Sequence, residues 1–189
     1  KMSVYKADGT TLIAKEYDSA TNRNMAWLTN GSTIINKVQD HLYTPTTEEF
    51  YGFGEHYNNM RKRGMNIDTY VYNQYKSQNE KTYMSIPFFL NTNGYGVFVN
   101  STYYSQFRLA TDRSDMYSFT ADTGGASTSM LDYYFIYGDD LKDVGTNYAS
   151  ITGLPRMLPK WAFGLWMSAN EWDRQSEITN AVSNANTNN

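Results

Sequence analysis

The chain has 189 residues, enough for one ordinary domain and part of a second. Sixteen Lys and Arg stand against nineteen Asp and Glu, so there is no electrostatic case for nucleic acid or an anionic membrane as partner. Absence of cysteine excludes disulfides and Cys-ligated zinc or iron–sulfur centres, and leaves the compartment open, with an extracellular bacterial setting as the expectation. No apolar run approaches the ~20 residues of a spanning helix. Seventeen Tyr, nine Phe and four Trp make 16% of the chain; such side chains suit antiparallel strands and also suit stacking on sugar rings.

In chain order the pattern is strand, turn, strand. Lys1–Tyr5 already reads as extended, so the N-terminus is expected to lie upstream. Residues 3–6 and 11–15 flank a central Asp8-Gly9, a strong hairpin signal. Strands are predicted over 25–28 and 33–42, with Asn30-Gly31 between them, and over 86–91 and 95–100 around Thr92-Asn93-Gly94. Three more follow at 103–109, 116–120 and 129–137. Many short strands without intervening helices argue for an antiparallel β-sandwich.

The period then changes. Leu141, Val144, Tyr148 and Ile151 recur at helical spacing, with Asp139 or Asp140 as N-cap and Gly153 as terminator. Leu154-Pro155 and Leu158-Pro159 predict an extended linker. The continuous apolar run Trp161–Met167 predicts a parallel strand buried on both faces. Ile178, Ala181, Val182 and Ala185 predict an amphipathic helix, with Asp173 as its N-cap. One strand and one helix cannot close a barrel of roughly 250 residues, so the second domain is expected to be incomplete: a sandwich at 1–155, then the start of a barrel at 156–189.

Tyr51-Gly52-Phe53-Gly54-Glu55-His56 resembles the Tyr-Gly-hydrophobic-Gly-Glu segment of glycoside hydrolase family 31, the α-glucosidase, α-xylosidase and α-glucosyltransferase family. Three further segments resemble that family in the right order: 85–100, Asp132–Gly138, and Leu158–Trp166. The resemblance implies a galactose-mutarotase-like sandwich leading into a (β/α)8 catalytic barrel. It also implies retaining hydrolysis of α-glucosides or α-glucans, or glycosyl transfer. In such chemistry two carboxylates lie roughly 5 Å apart, one attacking the anomeric carbon and one protonating the leaving oxygen. The resemblance places both beyond Asn189, so no catalytic residue is expected within the chain. The expected partners are an oligosaccharide or α-glucan and the remainder of the barrel, with no cofactor and no metal.

By position, the family's loop over the barrel mouth matches Tyr70–Lys76, which makes Asn73, Gln74 and Tyr75 candidate substrate contacts; an ordinary surface loop is the alternative. Barrel sites gather at the C-terminal ends of strands, where Asn170 could bond a hydroxyl and Trp172 could stack on a ring. Gly52 and Gly54 suggest a tight backbone turn, with Glu55 satisfying buried donors there. Arg61-Lys62-Arg63 reads as a solvated turn. Asp112, Asp115 and Asp122 match no defined calcium loop. A free-standing carbohydrate-binding sandwich is the rival reading, and the apolar run at 161–167 argues against it.

Overall fold

The computed structural model describes the chain apart from residues 19–23, 30, 32–33, 75, 78, 126–129, 167, 169 and 189. Strands β1 (Ser3–Tyr5) and β2 (Leu12–Lys15) form the first hairpin. Its turn is fixed by Asp8, whose Oδ1 accepts the N–H groups of Thr10 and Thr11 at 2.8 Å. Then follow β3 (Met25–Thr29), β4 (Ile35–Tyr43), β5 (Phe50–Gly54), β6 (Asn66–Asp68), β7 (Ser85–Asn91), β8 (Tyr95–Val99), β9 (Ser105–Arg113), β10 (Met116–Asp122) and β11 (Tyr133–Tyr137). Helix α1 (Leu141–Thr152), a 3-10 turn at Lys160–Phe163 and helix α2 (Gln175–Thr187) complete the order.

The strands build two larger antiparallel sheets, one ordered β3-β4-β10-β9-β6 and the other β11-β8-β7-β5. This is the mainly β sandwich that the strand-and-turn pattern predicts. Strand alternation sends every second residue inward, so Leu42, Tyr117, Phe119, Phe107 and Leu109 meet Phe50, Phe53, Phe89, Val97 and Val99, all essentially buried. Aromatic rings dominate the contact. Phe50 meets Phe89 at 5.4 Å and Tyr117 at 5.2 Å, and Phe53 meets Phe107 at 4.9 Å, each edge to face. Such pairs add about 0.5–1.5 kcal/mol beyond the area they bury.

The glycines at 52 and 54 work as a kink in β5. Gly52, Phe53 and Gly54 have φ of 118°, 71° and 89°, and the register against β7 shifts between Gly52 and Gly54. A Cβ on Gly52 would come within 2.8 Å of the Phe88 carbonyl oxygen. The kink turns Phe53 inward while the chain leaves the sheet towards residues 55–65.

The chain divides into two compact units, Lys1–Gly153 and Leu154–Asn189. In the first, α1 covers the outer face of the four-stranded sheet. Val144 is fully buried and approaches Gly96 so closely that a Cβ there would lie 3.0 Å from Val144 Cγ1. Tyr148 stacks on Phe88 at 3.9 Å and 4°. Asp140 caps the helix, its Oδ1 accepting from Asp143 N at 2.8 Å, and Gly153 ends it at φ 99°.

The second unit corrects two expectations. No strand forms over the described residues Trp161–Trp166 of the predicted strand Trp161–Met167; Lys160–Phe163 instead winds into a 3-10 turn, and Met167 lies outside the described residues. A strand covered on both faces needs neighbours at both edges, and none is present among the described residues of this unit. Its backbone groups therefore bond locally, Ala162 N to Pro159 O at 2.9 Å and Gly164 N to Trp161 O at 3.0 Å. The helix of the expected strand–helix pair does form, but it is capped by Arg174 rather than Asp173; Glu177 Oε2 accepts from the backbone N–H of both. No helix among the described residues is long and apolar enough to cross a membrane.

Candidate functional site

The loop at 70–84 leaves the five-stranded sheet at β6 and enters the four-stranded sheet at β7. Its base is tied to the sandwich by Ser105 N donating to Thr69 Oγ1 at 2.8 Å and Ser85 Oγ donating to Asp68 O at 3.2 Å. Asp68, at the end of β6, organises the first turn. Its Oδ1 accepts from Tyr70 N at 3.0 Å and its Oδ2 from the Tyr72 hydroxyl at 3.1 Å. The Tyr70 and Tyr72 rings lie 4.8 Å apart, tilted by 58°, and the Lys81 ammonium stands 5.2 Å from the Tyr72 ring centroid. Burial and the Asp68 carboxylate together push the Tyr72 phenol above its ordinary pKa.

The predicted contacts have mostly internal partners. Tyr83 OH donates to Asn73 Oδ1 at 3.0 Å, and Tyr72 N donates to Thr82 O at 2.9 Å, which closes the loop across its width. Gln74 Nε2 donates to the carbonyls of Lys76 (2.7 Å) and Ser77 (3.1 Å), shaping the loop tip. Tyr75 lies outside the described residues. A polar cavity of about 200 Å³ opens behind the loop, lined by His56, Asn66, Asp68, Tyr70, Tyr72 and Lys81 among others. It is smaller than the roughly 300–1,000 Å³ of a typical ligand pocket, so this region offers a wall of tyrosine faces and amides rather than an enclosure.

In the second unit, Asn170 Oδ1 accepts from Ser168 Oγ at 3.3 Å, and Trp172 is 39% exposed. Both are available at the surface of that unit. Sequence reasoning placed Tyr72 in the loop but missed Asp68 and Lys81, whose partnership with Tyr72 has no local pattern to announce it.

Two other readings change. Glu55 satisfies no buried donor: it is exposed, and its carboxylate accepts from the exposed Tyr57 hydroxyl at 2.6 Å. His56 beside it directs Nδ1 at Glu80 O (2.8 Å) and Nε2 at Phe53 O (3.1 Å), pinning the loop to the β5 kink. Nor is Arg61-Lys62-Arg63 a solvated turn throughout. Lys62 is buried with its ammonium on Asn58 Oδ1 and Asn59 O, and Arg63 donates to Thr44 Oγ1 and Glu48 O at 3.2 and 2.9 Å. Asp112, Asp115 and Asp122 each face a cation, Arg108, Arg113 and Lys37 respectively. Among the described residues no group of three His, Asp or Glu could hold a metal ion.

Residues 1–107 match the glycosyl hydrolase 31 N-terminal galactose mutarotase-like domain. The chain is 74% identical to an isomaltosyltransferase of Sporosarcina globispora over 189 residues, all of this chain and 17% of that protein. It is 36% identical to the α-xylosidase XylQ of Lactiplantibacillus pentosus over 154 residues, 82% of this chain and 19% of that protein. Among solved structures it superposes on a cycloalternan-forming enzyme from Listeria monocytogenes, in complex with pentasaccharide substrate, with a TM-score of 0.86 and 51% identity, covering 99% of this chain and 18% of that one. It thus spans less than a fifth of each of these relatives. The kinked β5 motif, the sandwich and these matches together place the chain in glycoside hydrolase family 31.

Proposed function

We propose that the chain is the sandwich, residues 1–155, and the start of the catalytic barrel, residues 156–189, of a longer retaining enzyme that moves α-glucosyl units between α-glucan oligosaccharides. The observation that carries this reading is the 74% identity to an isomaltosyltransferase along all 189 residues. The 51% identity to a cycloalternan-forming enzyme supports it. On this reading transfer to a sugar acceptor takes precedence over the plain hydrolysis expected from the family resemblance. Asn73, Gln74 and Tyr75 form part of the rim over the donor sugar, and Asn170 and Trp172 follow the apolar segment 161–167, which takes barrel neighbours only in the longer protein. The two catalytic carboxylates lie outside these residues, so the chain alone turns nothing over. Polymeric α-glucans do not cross membranes unaided, which favours an extracellular setting.

Transfer and hydrolysis share the glycosyl-enzyme intermediate and differ in what attacks it. The test is incubation of the longer protein with maltotetraose and isomaltosyl oligosaccharides, with products resolved by chromatography. Products longer than the donor are expected. Release of glucose or isomaltose alone would make the parent a hydrolase, and no cleavage of any α-glucoside would overturn the reading.

A further inference from the structure

A second cavity of the first unit lies apart from the one behind the 70–84 loop. It has a volume of about 570 Å³ and lies where β8 and β10 end and β7 and β11 begin, beside α1. That volume falls within the roughly 300–1,000 Å³ typical of small-ligand sites. We propose that this cavity, built by Phe98, Asn100, Tyr103, Asp122, Asp132 and Tyr148, is a saccharide-binding site on the sandwich that takes one or two neutral hexopyranose residues.

Its walls are aromatic and held in place. Tyr148 is clamped by its parallel stack on Phe88, and Phe98 meets it edge-on at 5.3 Å. Tyr103 is 53% exposed and packs one face on the backbone. Its ring rests on Gly124 so closely that a Cβ there would fall 2.6 Å from Tyr103 Cζ and from its hydroxyl oxygen, and Gly124 has φ of 67°. The face turned away from Gly124 is open for stacking, and contact with the backbone narrows the ring's freedom, which lowers the cost of ordering it on binding. A pyranose chair offers such a face its axial C–H groups.

The polar groups are acceptors for hydroxyls and offer nothing to an anion. Asn100 Nδ2 donates to Asp132 Oδ2 at 2.7 Å, and Asn100 N donates to Asp132 O at 2.9 Å. One bond joins the side chains and the other the backbones, which leaves Asp132 Oδ1 and Asn100 Oδ1 as acceptors for a ligand's hydroxyls. Asp122 forms an ion pair with Lys37, Nζ to Oδ1 at 3.0 Å. Among the described residues no Lys, Arg or His lines the cavity, so an anionic ligand would be unpaired there. The identification of the sugar as a glucose oligomer rests on the function proposed above; the site itself rests on the cavity.

The test is titration of the 189-residue chain with isomaltose and maltotriose, read by NMR. Binding with Kd around the millimolar range is expected, a modest affinity for an open site, with intermolecular NOEs between sugar C–H protons and the Tyr103 ring. Tyr103→Ala should weaken binding by at least about tenfold, since it removes a stacking face. Gly124→Ala should weaken it as well by lifting the Tyr103 ring. No binding to the wild-type chain would overturn the site, as would unchanged affinity in Tyr103→Ala or NOEs confined to the 70–84 loop. The transfer assay on the longer protein is independent of these outcomes, so either proposal can fail alone.

Discussion

Asp40 lies on the inner face of β4 with none of its surface exposed, an unusual place for a carboxyl. It accepts from the Tyr133 hydroxyl at 3.0 Å and from His41 N at 2.8 Å, while Glu16, itself 8% exposed, adds a like charge. Burial dominates these effects and raises its pKa from 3.8 to about 6. Between those two values the folded chain holds the proton more tightly than the unfolded one. Stability therefore falls as pH rises from about 4 to about 6 and is level with respect to this group above that. Asn in its place cannot ionise and keeps an acceptor for His41 N. Asp40→Asn should stabilise the chain at pH 7 by roughly 1–3 kcal/mol and change little at pH 4. Urea unfolding at the two pH values checks it; an equal difference at both would show that titration of Asp40 is not the cause.

Among the elements, α1 depends most visibly on one residue. Asp140 supplies its only side-chain cap, and alanine there leaves the Asp143 N–H without its acceptor. Asp140→Ala should cost about 1 kcal/mol, measured as a lowered urea midpoint with unchanged slope. This helix and the two hairpins at Asp8-Gly9 and Asn93-Gly94 were readable in the sequence because each announces itself locally, by period, cap or turn residue. β5 and β6 were not. Three successive left-handed residues break the alternation of β5, and β6 has three residues, too few to show a period. The segment at 161–167 failed for a different reason: an apolar run records that burial is needed, not which neighbours supply it. The candidate site divides along the same line. Asn73 and Gln74 came from the position of a recognisable loop, whereas Asp68 acts from β6 and the packing of Tyr103 on Gly124 is a contact between distant segments that no local pattern encodes.

At the scale of the whole chain the two units differ in how much they bury. The first has two sheets closed over a shared aromatic core, while the second buries no residue of its 3-10 turn or of α2. Trp161, Phe163 and Trp166 are each 72% exposed and Leu165 is 89% exposed. Residues 154–160 between core and turn are exposed throughout and carry Arg156 and Lys160. Exposed backbone with few buried contacts opens at little free-energy cost and is cut first. Limited trypsin digestion of the chain should therefore cleave after Arg156 or Lys160 and leave a resistant core that retains residues 1–153. That core should still unfold cooperatively in urea, because the aromatic contacts between its two sheets lie entirely within it. Earlier cleavage at the lysines and arginines of β4, β9 or the 61–63 segment would contradict this, since it would mean that the sandwich opens as readily as the tail. Lys62 and Arg63 give that comparison its sharpest point: both are tied inward, so resistance at these two positions reports directly on the integrity of the sandwich.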